Sequence, residues 1–479
     1  AYLGVSLIVS HAFPYATNVP IHASPSLPVL AFSFGLSVVT GILFGCAPAW
    51  FASHADPAEA LRGANRSTHD SSSLSQKALV VVQAALSVVL LAGAGLLTRS
   101  LQKLEHQEFG FETDHRVSIL LLSPPASYSQ TRLDAVYREL QERLAQIPRV
   151  QSAALASYSP FIDQWGELIV REGGGAPTLN FGDDGSSWDH VSPGYLELMG
   201  QHIVRGRTIT EQDTASSRNV AVVDEEFVRR FFKKGEEPLG AHFGLDIPKY
   251  NSTFEIVGVV RTANYTDPTG HWRRPMLYVP LAQHVHYDNP LMQWSDDRSH
   301  AIESAVLKIQ GSMEGLEQQI RRAFSEVDPN LTIMRIQTMQ EQVDTRLDQQ
   351  RVVAQLTGLF GLLALVLAAI GLYGVTAYTV ERRASEIGVR MALGADRGNI
   401  VKLVLRGAFL QILIGLAIGL PVAIGCGRFI AGQLYQVKSW DPLVLTGSIA
   451  ALGLCALIAS VIPAQRAASI DPVKALRTE

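Results

Sequence analysis

The stretch VVAQLTGLFGLLALVLAAIGLYGVTAY occupies residues 352–378, and ERRASEIGVRMALGADRGNIVK follows at 381–402. The first holds no Asp, Glu, Lys or Arg and exceeds the roughly 20 apolar residues a helix needs to cross a bilayer. The second is dense in both charge signs and leads straight into another apolar run. A helix that leaves lipid, exposes charge and re-enters is the reading this order predicts. Working outward, four further stretches have the same apolar character: 28–52, 78–98, 403–425 and 443–462. Of their charged residues only Arg406 falls inside, near an end from which its long side chain reaches the interface. The whole chain of 479 residues is 47% hydrophobic and 18% charged, below the roughly 25% charge of soluble domains. Five membrane helices therefore account for the composition better than one greasy core. Small residues recur at helix-packing spacing, as in Gly41 with Gly45 and Gly415 with Gly419, where they permit close approach in lipid.

Orientation follows from the short loops. Arg62, Arg66 and Lys77 lie between the first and second spans; Arg382, Arg383, Arg390, Arg397 and Lys402 lie between the third and fourth. Arg466, Lys474 and Arg477 follow the fifth, whereas the opposite side holds only Arg428 and Lys438. The positive-inside rule puts the basic set in the cytoplasm. Arg99 and Lys103 count against this assignment, although the long segment after them weakens their weight.

Residues 99–350 then form one large extracytoplasmic α+β domain. RVSILLL (116–122), an amphipathic helix at 132–147 and VQSAALAS (150–157) make one strand–helix–strand set. AVLKI (305–309), LEQQIRRAFSEV (316–327) and LTIMRI (331–336) make a second, so the two sets predict a ferredoxin-like lobe split by an insertion. Strand candidates at 219–223, 254–260 and 276–280 predict a second, mostly β lobe, with Gly- and Asp-rich loops around 173–187. A helical stretch at 338–356 precedes the third span without glycine or proline, so it is expected to run on into it.

An internal similarity frames the chain. CAPAWFASHADPAEALRG (46–63) matches the closing VIPAQRAASIDPVKALRTE (461–479) in its proline, Asp-Pro and Ala-Leu-Arg. Each proline is expected to close a span, because it lacks the amide proton a helix interior needs. Each Asp-Pro is expected to start a short helix. Residues 28–52 then read as the last helix of an earlier copy, 1–27 as the remnant of a preceding helix and outer loop, and 53–77 as a cytoplasmic linker.

VERRASEIGVRMALGADRGNIVKLVL (380–405) with PAQRAASIDPVKAL (463–476) resembles the FtsX/MacB-like family of ABC-transporter permeases. YLELMGQHIVRGRTITEQD (195–213), VAVVDEEFVRRFF (220–232) and FEIVGVV (254–260) are similar to that family's periplasmic core domain. The chain looks like the C-terminal part of a duplicated, acidobacterial-type member. The resemblance implies an α-helical membrane protein of about five transmembrane helices, whose large extracytoplasmic α+β domain is a MacB-type periplasmic core of two lobes. It assigns 351–479 to an FtsX-like permease domain: spans 352–378, 403–425 and 443–462, a cytoplasmic coupling segment 379–402 and a tail 463–479. It also implies a bacterial inner-membrane location and a mechanotransmission role, likened to efflux or export.

In the family the segment between the third and fourth spans touches an ATPase. Carried over, the contacts are Glu381, Arg382, Arg383, Glu386, Arg390 and Arg397, with Gly388 and Gly394 shaping the turn by interrupting a helix. Read without the family, the same residues are a charged anchor that obeys the positive-inside rule. The ATPase is expected in trans, since the sequence contains no GxxxxGK[ST] phosphate loop; GADRGN (394–399) has no following Lys-Ser or Lys-Thr. No GxSxG or HExxH motif is present, so an enzyme is not expected, and ATP is used only by the partner. The three cysteines, Cys46, Cys426 and Cys455, lie in or beside apolar runs without a CxxC, and no bound metal or cofactor is expected. His284 and His286 form an HxH read as having no carboxylates at ligand spacing, and Asp183-Asp184 and Asp296-Asp297 read as solvated faces. A net charge of −4 excludes a nucleic-acid binder. Other implied partners are membrane lipid, a second permease unit (the missing first repeat or a second copy), and a periplasmic adaptor or cell-wall enzyme. The competing reading is a membrane-anchored regulator or scaffold of cell-envelope enzymes that moves no substrate.

Overall fold

The computed structural model describes residues 27–53, 69–125, 127–162, 165–173, 177, 181–268 and 274–469. The chain divides into two compact units, Ala1–Lys103 with Asp348–Glu479, and Leu104–Leu347. In chain order the longer helices are α1 (Leu27–Ser53), α2 (His69–Glu105), α3 (Gln130–Ala145), α4 (Glu225–Phe231), α5 (Pro290–Ser299), α6 (Leu316–Val327), α7 (Met339–Arg382), α8 (Ala384–Ala392), α9 (Arg397–Phe429) and α10 (Pro442–Ala468). The strands are β1 (Arg116–Leu121), β2 (Val150–Ala156), β3 (Trp165–Arg171), β4 (Gly185–Val191), β5 (Ile203–Gly206), β6 (Val220–Asp224), β7 (His242–Leu245), β8 (Phe254–Val260), β9 (Met276–Pro280), β10 (Ser304–Ile309) and β11 (Ile333–Thr338).

Among the described residues of the first unit, four helices are long and apolar enough to cross a membrane: α2 from Gln76, α7, α9 and α10. The expected fifth span falls in α1, whose apolar stretch among the described residues is Leu30–Val39. Val80, Ala84, Val88, Leu372, Ile412 and Leu452 belong to the buried cluster joining α2, α7, α9 and α10. The close approach of α9 to α2 rests on Gly415 and Gly419. A Cβ added at Gly415 would lie 2.7 Å from the Ala84 Cβ, and one at Gly419 only 2.3 Å from a Val88 methyl. Ser87 spans to α7 by donating to the Ala364 carbonyl at 3.0 Å, the kind of interhelical bond lipid leaves unchallenged.

Two expectations about helix ends are corrected. Pro48 and Pro463 lie inside α1 and α10, which run on to Ser53 and Ala468. Pro463 is buried among its neighbours, where a helix tolerates the missing amide proton. The Asp-Pro and Ala-Leu-Arg repeats lie outside the described residues. Arg99 pairs with Asp441, the side chain that caps α10 by accepting from the Leu443 amide at 3.1 Å. Its charge is thus locally compensated, but acidic partners contribute little to the loop-charge rule, so Arg99 still counts against the assignment.

The second unit is built on one continuous sheet. β11, β1, β10 and β2 are neighbours in that order, all antiparallel, with Val117 opposite Leu307 and Ala305 opposite Leu155. This is the ferredoxin-like arrangement, the second half of which arrives only after the insertion. Val117, Ile119 and Leu121 alternate toward Leu133, Leu140 and Leu144 of α3 and Ile320 and Phe324 of α6. The insertion folds as a closed ring: β4 pairs β3, then β7, β8, β6 and β9 follow, and β9 returns to β4 in parallel. Trp188, Phe243, Phe254, Ile256, Leu277 and Val279 belong to the ring's hydrophobic core. A single residue pair, Ala156 with Val191, joins the ring to the ferredoxin-like sheet. β4 corrects the end of the loop expected around 173–187, where 185–187 are strand; all seven β4 residues are buried, Ser186, Ser187, Asp189 and His190 included.

The start of α7 is locked into this unit. Gln342, 1% exposed, donates to the Ser159 hydroxyl and the Pro160 carbonyl at 2.6 Å each, and accepts from Gln337 at 3.0 Å. From there α7 continues without a break to Arg382.

Candidate functional site

At the end of α7, the chain turns through one residue, Arg383, into the nine-residue α8. Ile387 is the inward residue of α8, buried with Val380 of α7, Ile400 of α9 and Ala467 of α10. Leu96, Leu434, Val437 and Val444 cluster separately, around the α9–α10 connection. The bundle therefore has one end built around α8, and that end carries Arg382, Arg383, Arg390, Arg397 and Arg466.

The sequence-predicted contacts sort by position. Glu381, Arg382, Arg383, Glu386, Arg390 and Arg397 are all exposed, grouped on and beside α8. Glu386 and Arg390 pair across one turn at 2.6 Å, each about half exposed. Arg382 lies over the Tyr378 ring, 5.5 Å from its centroid. Glu381, Arg383 and Arg397 make no ion pair among the described residues. Gly388 departs from the expectation that it interrupts a helix: it is buried within α8. Gly394 does end the helix, at φ +92, with the Gly394 amide donating to the Met391 carbonyl and the Ala395 amide to the Arg390 carbonyl, both at 3.0 Å. These two bonds are the Schellman closure, which favours glycine at the left-handed position.

Behind α8 lies a cavity of about 540 Å³ between α2, α7, α8 and α9. Lys77, Arg383, Glu386 and Arg390 stand on its polar side, with apolar residues such as Val81 and Leu403 on the other. The surface is a charged helix closed at its C-terminus by the Schellman turn, with Ile387 buried in the bundle and Val389 and Leu393 exposed beside the charges. Chemically it offers recognition and mechanical contact.

The histidine reading is corrected in the second unit. His284 has carboxylate company: its Nε2 lies 3.0 Å from Asp134, and its ring stacks on His300 at 4.0 Å. Asp296 is not a solvated face but a buried residue of α5, 2% exposed. His190 and His300 were not singled out in the sequence at all. They are 110 residues apart and follow no ligand spacing, so only the pairing of β4 with the ring brings them together.

Comparison with known proteins agrees with this architecture. The family model described as MacB-like periplasmic core domain matches residues 78–323, and that described as FtsX-like permease C-terminal matches 358–472. The macrolide export ATP-binding/permease protein MacB of Marinobacter nauticus is 27% identical over 58% of this chain and 41% of its own length. The pyoverdine export ATP-binding/permease protein PvdT of Pseudomonas entomophila is 24% identical over 66% of this chain and 45% of its own. The chain thus spans less than half the length of these relatives. The crystal structure of the periplasmic region of MacB from Actinobacillus actinomycetemcomitans aligns with 51% of this chain and 97% of its own, at 17% identity and a TM-score of 0.33. Two matched domains in this order, with a charged helix between apolar ones, establish that the chain belongs to the FtsX/MacB-like family of ABC-transporter permeases.

Proposed function

We propose that the chain is the permease subunit of an ABC-type export system in a bacterial inner membrane. The unit Leu104–Leu347 faces the periplasm, and a separate ATPase engages α8 from the cytoplasm. ATP binds and is hydrolysed in that partner; the permease itself turns over no substrate chemically. The observation that carries this reading is α8: its Ile387 is buried with Val380, Ile400 and Ala467, so Glu386, Arg390 and the flanking arginines are left to a partner. Because only Arg383 separates α8 from α7, a displacement of α8 has no loop in which to dissipate. It passes into a helix whose first turns are pinned by Gln342. Mechanotransmission along α7 is the mechanism this continuity supports, and the names of the relatives support export as its purpose.

The test keeps α8 intact while changing what it presents. The double exchange E386R/R390E preserves the pair across one turn, which is worth only about 0.2–0.5 kcal/mol, but reverses the order of the charges. Wild-type chain in nanodiscs should capture its ATPase from a panel of bacterial ABC ATPases. The exchanged variant should capture at least tenfold less, with its thermal stability unchanged. Equal capture by both removes the coupling role of this surface.

A further inference from the structure

His190 on β4, Asp296 on α5 and His300 just after α5 are 2%, 2% and 1% exposed. Each offers a ligand atom, and those atoms all lie within 4.8 Å of one another. His300 is sandwiched between two other imidazoles, with centroids 4.0 Å from both His190 and His284.

The hydrogen bonds of this cluster do not close. His190 Nδ1, His284 Nδ1 and Asp296 Oδ1 are buried without a partner, although buried polar atoms are nearly always satisfied. His300 has the opposite problem. Its Nδ1 lies 2.7 Å from the Asp296 carbonyl oxygen and its Nε2 2.9 Å from the Gln283 carbonyl oxygen. Both oxygens only accept, and a neutral imidazole has a single N–H to donate. One His300 nitrogen therefore sets its lone pair against a carbonyl.

A cation resolves the defects at His190, His300 and Asp296 together. We propose that this cluster binds a divalent transition-metal ion of the zinc class, with His190, His300 and Asp296 as its protein ligands. One His300 nitrogen then ligates, its ring turning off the carbonyl oxygen it now faces, while the other keeps its N–H on a backbone carbonyl. That is the outer contact that fixes the tautomer of a metal-bound histidine. His190 Nδ1 and Asp296 Oδ1 gain a partner, and the buried carboxylate gains a counter-charge. Two imidazoles with one carboxylate suit zinc and its neighbours rather than magnesium or calcium, which prefer oxygen. Ligand bonds of about 2.0–2.2 Å place donors roughly 3.4 Å apart, so the side chains close in by up to about 1.4 Å. The fourth position is left to water or to His284 Nδ1. The ion would tie the ring to α5 and, through His284 and Asp134, to α3 of the ferredoxin-like lobe.

The full chain, without a polyhistidine tag, is purified in detergent, stripped with chelator and titrated with Co²⁺ and then Zn²⁺. The expected result is one equivalent of Co²⁺ per chain with a visible tetrahedral absorption band, bleached by Zn²⁺. Thermal stability should rise with Zn²⁺ and not with Mg²⁺. H190Q and D296N should each lose the equivalent, and H286Q, at an exposed histidine, should keep it. If the two buried variants fail to fold, the wild-type titration decides alone. Less than about 0.2 equivalents, or a band of six-coordinate character with no stabilisation by Zn²⁺, overturns the proposal. So does undiminished binding by folded H190Q and D296N.

Discussion

The contact between α9 and α2 makes a sharp demand on one glycine. A Cβ at Gly419 would stand 2.3 Å from the Val88 Cγ1, 2.8 Å from the Ala85 carbonyl oxygen and 2.9 Å from the Ala85 Cα. Carbon atoms rest at about 3.5–4.0 Å. The valine can turn its methyl away, but the backbone of Ala85 cannot, so G419A must push the two helices apart by about 0.6–1.1 Å. Overpacking of this kind costs about 1–3 kcal/mol, and here it also separates the polar and small-residue contacts along the seam. Gly425, on the same helix, supplies the control, because nothing lies within 4 Å of a Cβ added there. G425A should be neutral or gain up to about 1 kcal/mol from helix propensity. The assay is reversible unfolding in mixed micelles of increasing dodecyl sulfate content, read by circular dichroism, on the two single variants and the wild type. Equal stability of G419A and G425A to within about 0.5 kcal/mol would refute the argument that steric closeness at Gly419 holds this seam.

Other outcomes follow from separate parts of the molecule. Gln342 satisfies three buried groups at the start of α7, so Q342L should destabilise the unit Leu104–Leu347 by about 1–3 kcal/mol and speed amide exchange over the first turns of α7, as read by hydrogen-exchange mass spectrometry. Burial opposes ionisation of Asp213, but its hydrogen bonds from Arg207, 2.7 Å on each oxygen, and from the Thr210 amide outweigh this and hold the carboxyl below its ordinary range. The stabilisation is therefore present above the unfolded value of about 3.9 and is lost as pH falls through the folded one. D213N should lower the melting temperature at pH 7 and converge on the wild type in acid. At Gly394, φ +92 makes alanine strained, so G394A should cost about 1 kcal/mol. It should also loosen α8 enough to reduce ATPase capture without altering any charge. Finally, in a chain whose three native cysteines are replaced, S216C should react with a membrane-impermeant maleimide in intact spheroplasts and N399C should not; the reverse pattern would invert the proposed topology.

Much of this was legible in the sequence, and the parts that were not share a cause. α3 could be read because Leu133, Tyr137, Leu140 and Leu144 recur on one helical face and all four are buried. The split ferredoxin-like lobe was legible for a related reason: β1 and β10 are largely apolar and α3 and α6 amphipathic. β4 was not. A strand buried on both faces with the sequence GSSWDHV shows neither alternation nor an apolar run, since its polar groups are satisfied or orphaned only in three dimensions. The histidine cluster was hidden by the same strand. At α8 Gly388 was misjudged, because helix propensity is weak where tertiary packing buries the position. The proline at 463 misled for a related reason, since a helix packed in a bundle carries through a proline that would end it alone.

A ring of six strands has no first or last member. In a crowded envelope compartment, any protein that recruits others by lending them a strand must keep an unpaired border somewhere, and the ring withdraws all six of its own. Among the described residues, what remains open is β11, whose one ladder is with β1, and the short β5, held only by β8. β11 carries exposed Met334 beside exposed Arg335, and an arginine on a border strand discourages indiscriminate self-association. A strand-donating client, or an aggregate seeded by damage, has to begin there. A lysine or proline scan along 333–337 is accordingly the first place to look for either.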